Sequence, residues 1–287
     1  MAELIVRAPA STANLGPGFD CAAAALDLWN ELHVEPGTAD VVVEGEGAAE
    51  VPRDSEHLAL QAFALVAPVD GYRFRFVNRI PLERGLGSSA AAIAAGLVAG
   101  AIVAGRELDD DALLQLGLPL EGHPDNLGAA LRGGVCLIWR NGAGPHTARI
   151  ATDLPLAPIA VVPRTRVNTL ESRNRLPASL SHREAAAAAA QAALLGAAIA
   201  AGDAALLADA FHDRLHEPYR LADAPLLAEL RADPAPGQQG VTLSGSGPTV
   251  VVWADKADAP ATAHALEERF PETDVLALAI ADRGASA

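Results

Sequence analysis

Two glycines and two serines stand together in Gly85-Leu86-Gly87-Ser88-Ser89-Ala90, directly before an alanine-rich run that reaches Gly100. A run of this composition predicts a helix over about 88–104, with no acidic residue at its mouth. The first N–H groups of a helix are unpaired and carry partial positive charge. The glycines leave room for an anion to approach the backbone. Ser88 and Ser89 bring hydroxyls that can cap the helix, bond a phosphate or reach a magnesium ion, and Arg84 adds charge nearby. Two readings stay open on these residues alone: a serine-capped helix after a tight turn, or a phosphate site. The pattern also fits a loose G-x-G-x-x-A. A dinucleotide fold, however, needs a strand before the glycines, and Pro81-Leu82-Glu83-Arg84 is not one. The lysine-bearing loop G-x-x-x-x-G-K-[ST] is absent.

Two further stretches carry polar groups among turn residues. Ala8-Pro9-Ala10-Ser11-Thr12-Ala13-Asn14-Leu15-Gly16-Pro17-Gly18-Phe19-Asp20 holds Asn14 and Asp20, and reads either as a plain turn or as a recognition loop in which Asp20 suits an ammonium group. Leu243-Ser244-Gly245-Ser246-Gly247-Pro248-Thr249 lies between two apolar segments and is longer than a hairpin turn needs. Its backbone N–H groups could cover a ligand.

Other clusters point elsewhere less well. His212 and His216 are four apart on a predicted helix, a zinc-compatible spacing, but no third ligand and no H-E-x-x-H glutamate accompany them. Exposed helix histidines, or His216 buttressing the Arg220 loop, account for them better. Asp109–Asp111 read as caps of a helix at 112–116. Ser11 and Ser244 have no identifiable partner histidine, so a serine hydrolase is unsupported.

These groups must be positioned by a chain of 287 residues, a length for which two domains are expected. Short strands are predicted at Leu4–Ala10, Ala39–Gly45 and Ile159–Val162. Gly71–Asn78 alternates strictly, with Tyr72, Phe74 and Phe76 on one face. A buried strand is predicted at 133–139, and helices at about 55–67, 181–201, 203–215 and 258–269. Ser181 with Glu184 forms a capping box for the long helix. "VLALAI" reads as the last strand. The turn-rich segment 141–158 predicts a boundary near 153, giving domains 1–153 and 154–287, both α+β.

With 36 acidic residues against 21 lysines and arginines, the net charge of −15 repels nucleic acid and anionic lipid. Neither class of partner is expected, and an anionic ligand must be captured by local devices. No uninterrupted apolar run reaches the length of a membrane span. The N-terminus reads as a mature start. Cys21 and Cys136 sit among apolar residues and read as free thiols, which suits the cytoplasm.

In this order, the three glycine-rich stretches resemble the superfamily named for galactokinase, homoserine kinase, mevalonate kinase and phosphomevalonate kinase. Its middle motif is a Pro-x3-Gly-Leu-Gly-Ser-Ser-Ala loop, as at Pro81–Ala90. "APASTANLGPGFD", "EGHPDN" (Glu121–Asn126), "ESRNRLP" (Glu171–Pro177) and "HEPYR" (His216–Arg220) narrow the resemblance to the homoserine kinase family. The resemblance implies an N-terminal domain like ribosomal protein S5 domain 2 and a ferredoxin-like C-terminal domain. It implies transfer of the γ-phosphoryl group of ATP to the hydroxyl of L-homoserine, with Mg2+, in threonine biosynthesis; a homodimer is a family-based expectation.

By the same resemblance, Pro81, Arg84, Gly85, Leu86, Gly87, Ser88, Ser89 and Ala90 form the ATP loop, and Ser89 and Glu121 hold the metal. Asn14, Asp20 and Asn126 touch the substrate, with Asp20 at its ammonium. Arg173 and Arg220 hold its carboxylate, and Gly245 and Gly247 belong to the closing turn. Asp125, beside Asn126, is the side chain suited to orient the hydroxyl or accept its proton. The chain departs from the family at His57, where an asparagine often holds adenine, at Leu170, where lysine is common, and in alanines at 22–25 after "GFDC". The spacing from Glu121 to Asn126 is also shorter than in many relatives. Two alternatives remain at this point: a kinase of the same superfamily acting on another small hydroxylated metabolite, and a metabolite-binding regulator without catalysis.

Overall fold

The computed structural model of the chain describes residues 3–287 apart from Ala39, Ala143 and Asn168, and apart from the side chains of Thr169 and Leu170. The side chain of Leu170, one of the departures noted above, thus lies outside the described residues.

The first sheet is organised around a strand that the sequence does not announce. β1 (Leu4–Ala13) is a ten-residue strand that runs well into the stretch expected to be loop. It pairs along its whole length with β2 (Ala22–Pro36), fifteen residues long, with a register shift at Pro9/Ala10. Ala22 to Leu26 are all fully buried, so this part of β2 has no polar face and shows no alternation. Its far end alternates and pairs with β4 (Tyr72–Asn78), which lies parallel to β3 (Asp40–Gly45). On the same edge as β4 but at its near end, β2 pairs with β5 (Val135–Asn141), which forms a hairpin with β6 (Gly144–Ala151). β6 occupies a segment expected to be turn-rich linker.

Four helices cover this sheet: α1 (Leu58–Ala64), α2 (Ser88–Val103), α3 (Asp110–Glu121) and α4 (Pro124–Arg132). α2 is buried nearly all round, and alanines and glycines let its neighbours come close: a Cβ on Gly96 would stand 2.1 Å from Ala59 O of α1.

The second sheet begins with β7 (Leu156–Pro163). α5 (Thr169–Asn174), α6 (His182–Ala201), α7 (Ala204–Ala210), α8 (Glu217–Arg220) and α9 (Pro225–Ala232) follow. β8 (Gln238–Leu243), β9 (Val250–Asp255), α10 (Ala259–Arg269) and β10 (Thr273–Ala277) complete it. The strand order β10-β7-β9-β8, antiparallel throughout, is the split β-α-β arrangement of ferredoxin-like domains. Both halves are α+β, as expected. The capping box of Ser181 and Glu184 is present at the start of α6.

Two expectations are corrected. The helix at 203–215 ends at Ala210, because Asp213 instead accepts N–H bonds from Leu215, His216 and Glu217 and turns the chain. His212 and His216 therefore do not share a helix face, and the zinc reading loses its geometry. α6 is long and apolar enough by length and composition to cross a membrane, yet its apolar run is interrupted by Gln191 and an exposed Arg183 and Glu184 lie in its first turn, so the absence of an uninterrupted apolar run of that length stands. Leu195, Ala198 and Ile199 of this helix are buried in the main core. Second, the last residues leave the second sheet after Ala277: Leu26 bridges Ile280, and Arg7 bridges Ser286 through two backbone hydrogen bonds of 2.8 and 3.0 Å. The end of the chain thus completes the first sheet rather than its own.

The main hydrophobic core crosses the line between the sheets, taking in Leu15, Leu86 and Leu97 from one side and Leu195, Phe211 and Trp253 from the other. A second core, built on Leu227, Leu243 and Leu266, lies on the outer side of the second sheet.

Candidate active site

A cavity of about 730 Å³ opens where the two sheets meet. It is lined by residues of all the motif stretches: Asn14, Asp20, Gly85, Gly87, Ser88, Ser89, Glu121, Asp125, Asn126, Arg173, Arg220 and Gly245.

One wall is the start of α2. Its N-cap is Gly87 at φ +68°, no side chain caps it, and no acidic residue lies in its first turn. Ser88 and Ser89 do not cap the helix. The N–H dipoles of a sixteen-residue helix therefore face the cavity with no capping side chain at the N-cap and no acidic residue of the helix's own first turn against them. The space a side chain would take at the two glycines is occupied by protein. A Cβ on Gly85 would stand 2.4 Å from Ser244 O, and one on Gly87 would stand 2.1 Å from Ser11 Oγ. The loop is thus gripped from both sides. Ser244 donates its hydroxyl to Gly85 O at 2.6 Å, and Ser11 N–H donates to Leu86 O at 3.1 Å. Pro81, Leu86 and Ala90 are buried and do not line the cavity; they seat the loop. Arg84 turns to the second half and donates to Arg164 O at 3.2 Å.

The next wall holds two carboxylates. Ser89 Oγ donates to Glu121 Oε2 at 2.8 Å, bringing together the pair expected at a metal. Burial pushes the Glu121 carboxyl up to about 7, with the Asp125 charge adding to the rise and the Ser89 hydrogen bond opposing it. Asp125, 3% exposed, sits in the first turn of α4, where its Oδ1 accepts the Asn126 N–H at 2.8 Å. Burial, with the charge of Asp20, lifts its carboxyl to about 6. Asn126 Oδ1 accepts from Ser11 Oγ at 2.8 Å, which ties α4 to β1.

The third wall carries the cations. Asn14 and Asp20 adopt left-handed φ of +74° and +56° in the loop between β1 and β2. Asn14 bridges the halves: its Nδ2 donates to Gly245 O at 3.0 Å, and its Oδ1 accepts from Asp20 N–H. Arg173, on α5, meets Asp20 through paired hydrogen bonds of 2.7 and 3.1 Å. Arg220 is buried. Its Nη1 lies 3.0 Å from His216 Nδ1 and 3.1 Å from Gly245 O, and among the described residues its Nε has no partner. Both guanidinium groups lie over the ring of Phe19, at 5.4 and 5.5 Å.

His216 is wholly buried and stacks on Phe19, with ring centroids 5.0 Å apart. Its Nε2 faces Gly16 O at 2.9 Å, an acceptor, so Nε2 carries the proton and Nδ1 is left to accept from Arg220. Burial holds its pKa below the ordinary value, near 4. His216 thus buttresses Arg220, as one of the two expected readings has it.

Phe19, His123 and Ser246 also line the cavity and were not singled out from sequence. Phe19 and His123 lie inside the quoted motifs, so adjacency to Asp20 and Asp125 was the available signal. His57, in contrast, is built into the fold: its Nδ1 accepts the Ala59 N–H at the head of α1, and its ring stacks 3.9 Å from Phe76.

Residues 55–134 match the family model of the GHMP kinases N terminal domain, and residues 194–272 match that of the GHMP kinases C terminal. The homoserine kinase of Streptomyces avermitilis is 40% identical over 99% of this chain and 95% of its own length. That of Moorella thermoacetica is 38% identical over 98% of both. The crystal structure of homoserine kinase from Cytophaga hutchinsonii superposes with a TM-score of 0.87 over 100% of this chain and 97% of its own, at 24% identity.

Proposed function

This chain belongs to the GHMP kinase family, on its homoserine kinase branch, and we propose that it transfers the γ-phosphoryl group of ATP to the hydroxyl of L-homoserine, giving O-phospho-L-homoserine for threonine synthesis. The observation that carries this is a single cavity holding the uncapped start of α2, a carboxylate for an ammonium group, and two arginines for a carboxylate.

The triphosphate lies along Gly85–Ser89, where backbone N–H groups meet its charge. Mg2+ fits the donors on the adjacent wall: Ser89 Oγ and Glu121 Oε2 are hard oxygens 2.8 Å apart, and Glu121 is a buried carboxylate in need of a counter-charge. Among the described residues no cluster of three His, Cys, Asp or Glu forms an all-protein metal cage, which suits an ion whose other ligands are phosphate and water. The ion would neutralise charge on the transferred group.

L-Homoserine presents its carboxylate to Arg220 and Arg173, its ammonium to Asp20 and its hydroxyl to Asp125. The orphaned Nε of Arg220 gains an acceptor in this pose. The substrate oxygen forms a bond to the γ-phosphorus, the bond from that phosphorus to the β-bridging oxygen breaks, and ADP leaves. The hydroxyl proton passes to Asp125, whose raised pKa near 6 makes it a fitting acceptor at neutral pH. The free thiols Cys21 and Cys136 fit a reducing cytoplasm as the place of work.

The test is ADP release with Mg-ATP and, separately, L-homoserine, mevalonate, galactose and shikimate. Turnover with homoserine alone supports the assignment. Turnover only with another alcohol assigns a different substrate, and none with any, despite ATP binding, makes the chain a regulator. Arg220→Ala is expected to raise the homoserine KM by about tenfold or more while leaving ATP binding nearly unchanged.

A further inference from the structure

We propose that Asp20 and Arg173 serve as each other's substitute for the substrate, so that the pocket admits a zwitterion by exchanging one ion pair for two and rejects ligands that carry only one of the two charges. This rests on the reading of the cavity as the amino-acid site.

The two side chains come from opposite halves of the molecule, Asp20 from the loop between β1 and β2 and Arg173 from α5. They meet inside the cavity with both carboxylate oxygens on the guanidinium, at 2.7 and 3.1 Å. Each is about one-third exposed, so neither charge is fully solvated when left alone. Arg220, 3% exposed, is held by His216 and Gly245 and faces no carboxylate directly. Arg173 is the guanidinium whose charge is already matched.

The consequence is a rule of exchange. A carboxylate that takes Arg173 strips Asp20 of its cation. An ammonium that takes Asp20 strips Arg173 of its anion. Leaving one member of a partly desolvated pair unmatched costs more than the pair is worth in water. A zwitterion brings both charges and leaves nothing unmatched. The discrimination is thus built into the empty site: the internal pair competes against every ligand, and only a ligand with both charges repays both partners.

Asp20→Asn removes the competitor of Arg173 with little backbone penalty, since asparagine tolerates the φ of +56° at this position. Arg173→Met removes the competitor of Asp20. Binding of L-homoserine, 4-hydroxybutanoate (no ammonium) and 3-aminopropan-1-ol (no carboxylate) would be measured calorimetrically on the full chain. The wild-type chain is expected to bind L-homoserine at least about a hundredfold more tightly than either analogue. Asp20→Asn is expected to bind 4-hydroxybutanoate about tenfold more tightly than wild type does, ~1.4 kcal/mol, while losing affinity for L-homoserine. Arg173→Met is expected to gain similarly for 3-aminopropan-1-ol. These are gains, which a poorly folded variant cannot give. Equal or weaker analogue binding by both variants would overturn the proposal while leaving the site assignment standing. Failure of the wild-type chain to bind L-homoserine would overturn both. Binding without phosphoryl transfer would uphold the exchange and remove only the catalytic reading.

Discussion

Asp125 and Glu121 share one wall of the cavity, and burial raises both carboxyls, to about 6 and about 7. Two outcomes follow at this scale. Activity should fall as pH drops through about 6, because the proton acceptor Asp125 becomes protonated; a pH–kcat/KM profile reads this limb. Asp125→Asn should lower kcat by about 10²- to 10⁴-fold with a smaller change in homoserine KM. Stability runs in the opposite direction. Glu121 holds its proton more tightly folded than unfolded, where its value is the ordinary 4.5. Its contribution is complete below that value and is lost as pH rises through about 7. The melting temperature of metal-free protein should therefore decline across this window, and Glu121→Gln should flatten the decline. The residue types at this site could be read from sequence, because glycine, serine, carboxylate and arginine each announce a chemistry. What could not be read was most of their mutual pairing: His216 beside Arg220 was one of two readings of that histidine, but nothing in the motifs says that Asp20 meets Arg173.

The loop before α2 shows how elements constrain one another. Gly85 and Gly87 were expected to make room for a phosphate, yet the side-chain space at both is filled by Ser244 O and Ser11 Oγ. Their left-handed φ of +81° and +68° also disfavours residues with a side chain. Gly85→Ala should cost about 1–3 kcal/mol of stability and raise the ATP KM, since the loop must back away from the 244–249 turn; thermal melts and initial rates together test this. α2, β4, α6 and α10 were legible from composition, alternation or capping. β2 was not. Its buried alanines show neither β-branched residues nor a polar face, because a central strand covered on both sides has no reason to alternate. β6 was hidden by glycine, proline and asparagine in a short hairpin. The overlong helix at 203–215 was a failure to see Asp213 as a turn-maker, a role that depends on three N–H partners brought round by the fold.

At the scale of the whole molecule, the main core runs through both halves, and the cavity lies on its seam. Unfolding should be a single cooperative transition by calorimetry, and nucleotide bound at the seam should raise its midpoint without splitting it. The two-domain division was visible in the order of strands and helices, but the crossing of the final residues was not, since "VLALAI" reads as an ordinary last strand. Those residues are tightly held: Ala281 N–H donates to Ala25 O, Ala285 N–H to Ala130 O, and a Cβ on Gly284 would stand 2.0 Å from Leu131 O. Deleting residues 280–287 should lower the melting temperature by several degrees or more. There is a consequence in time as well. At the ribosome, the partners of the closing segment emerge more than a hundred residues before it does, so the leading half would wait, with its sheet unfinished, through many seconds of translation. A stalled nascent chain ending before Ala279 should stay open to protease where the released polypeptide resists.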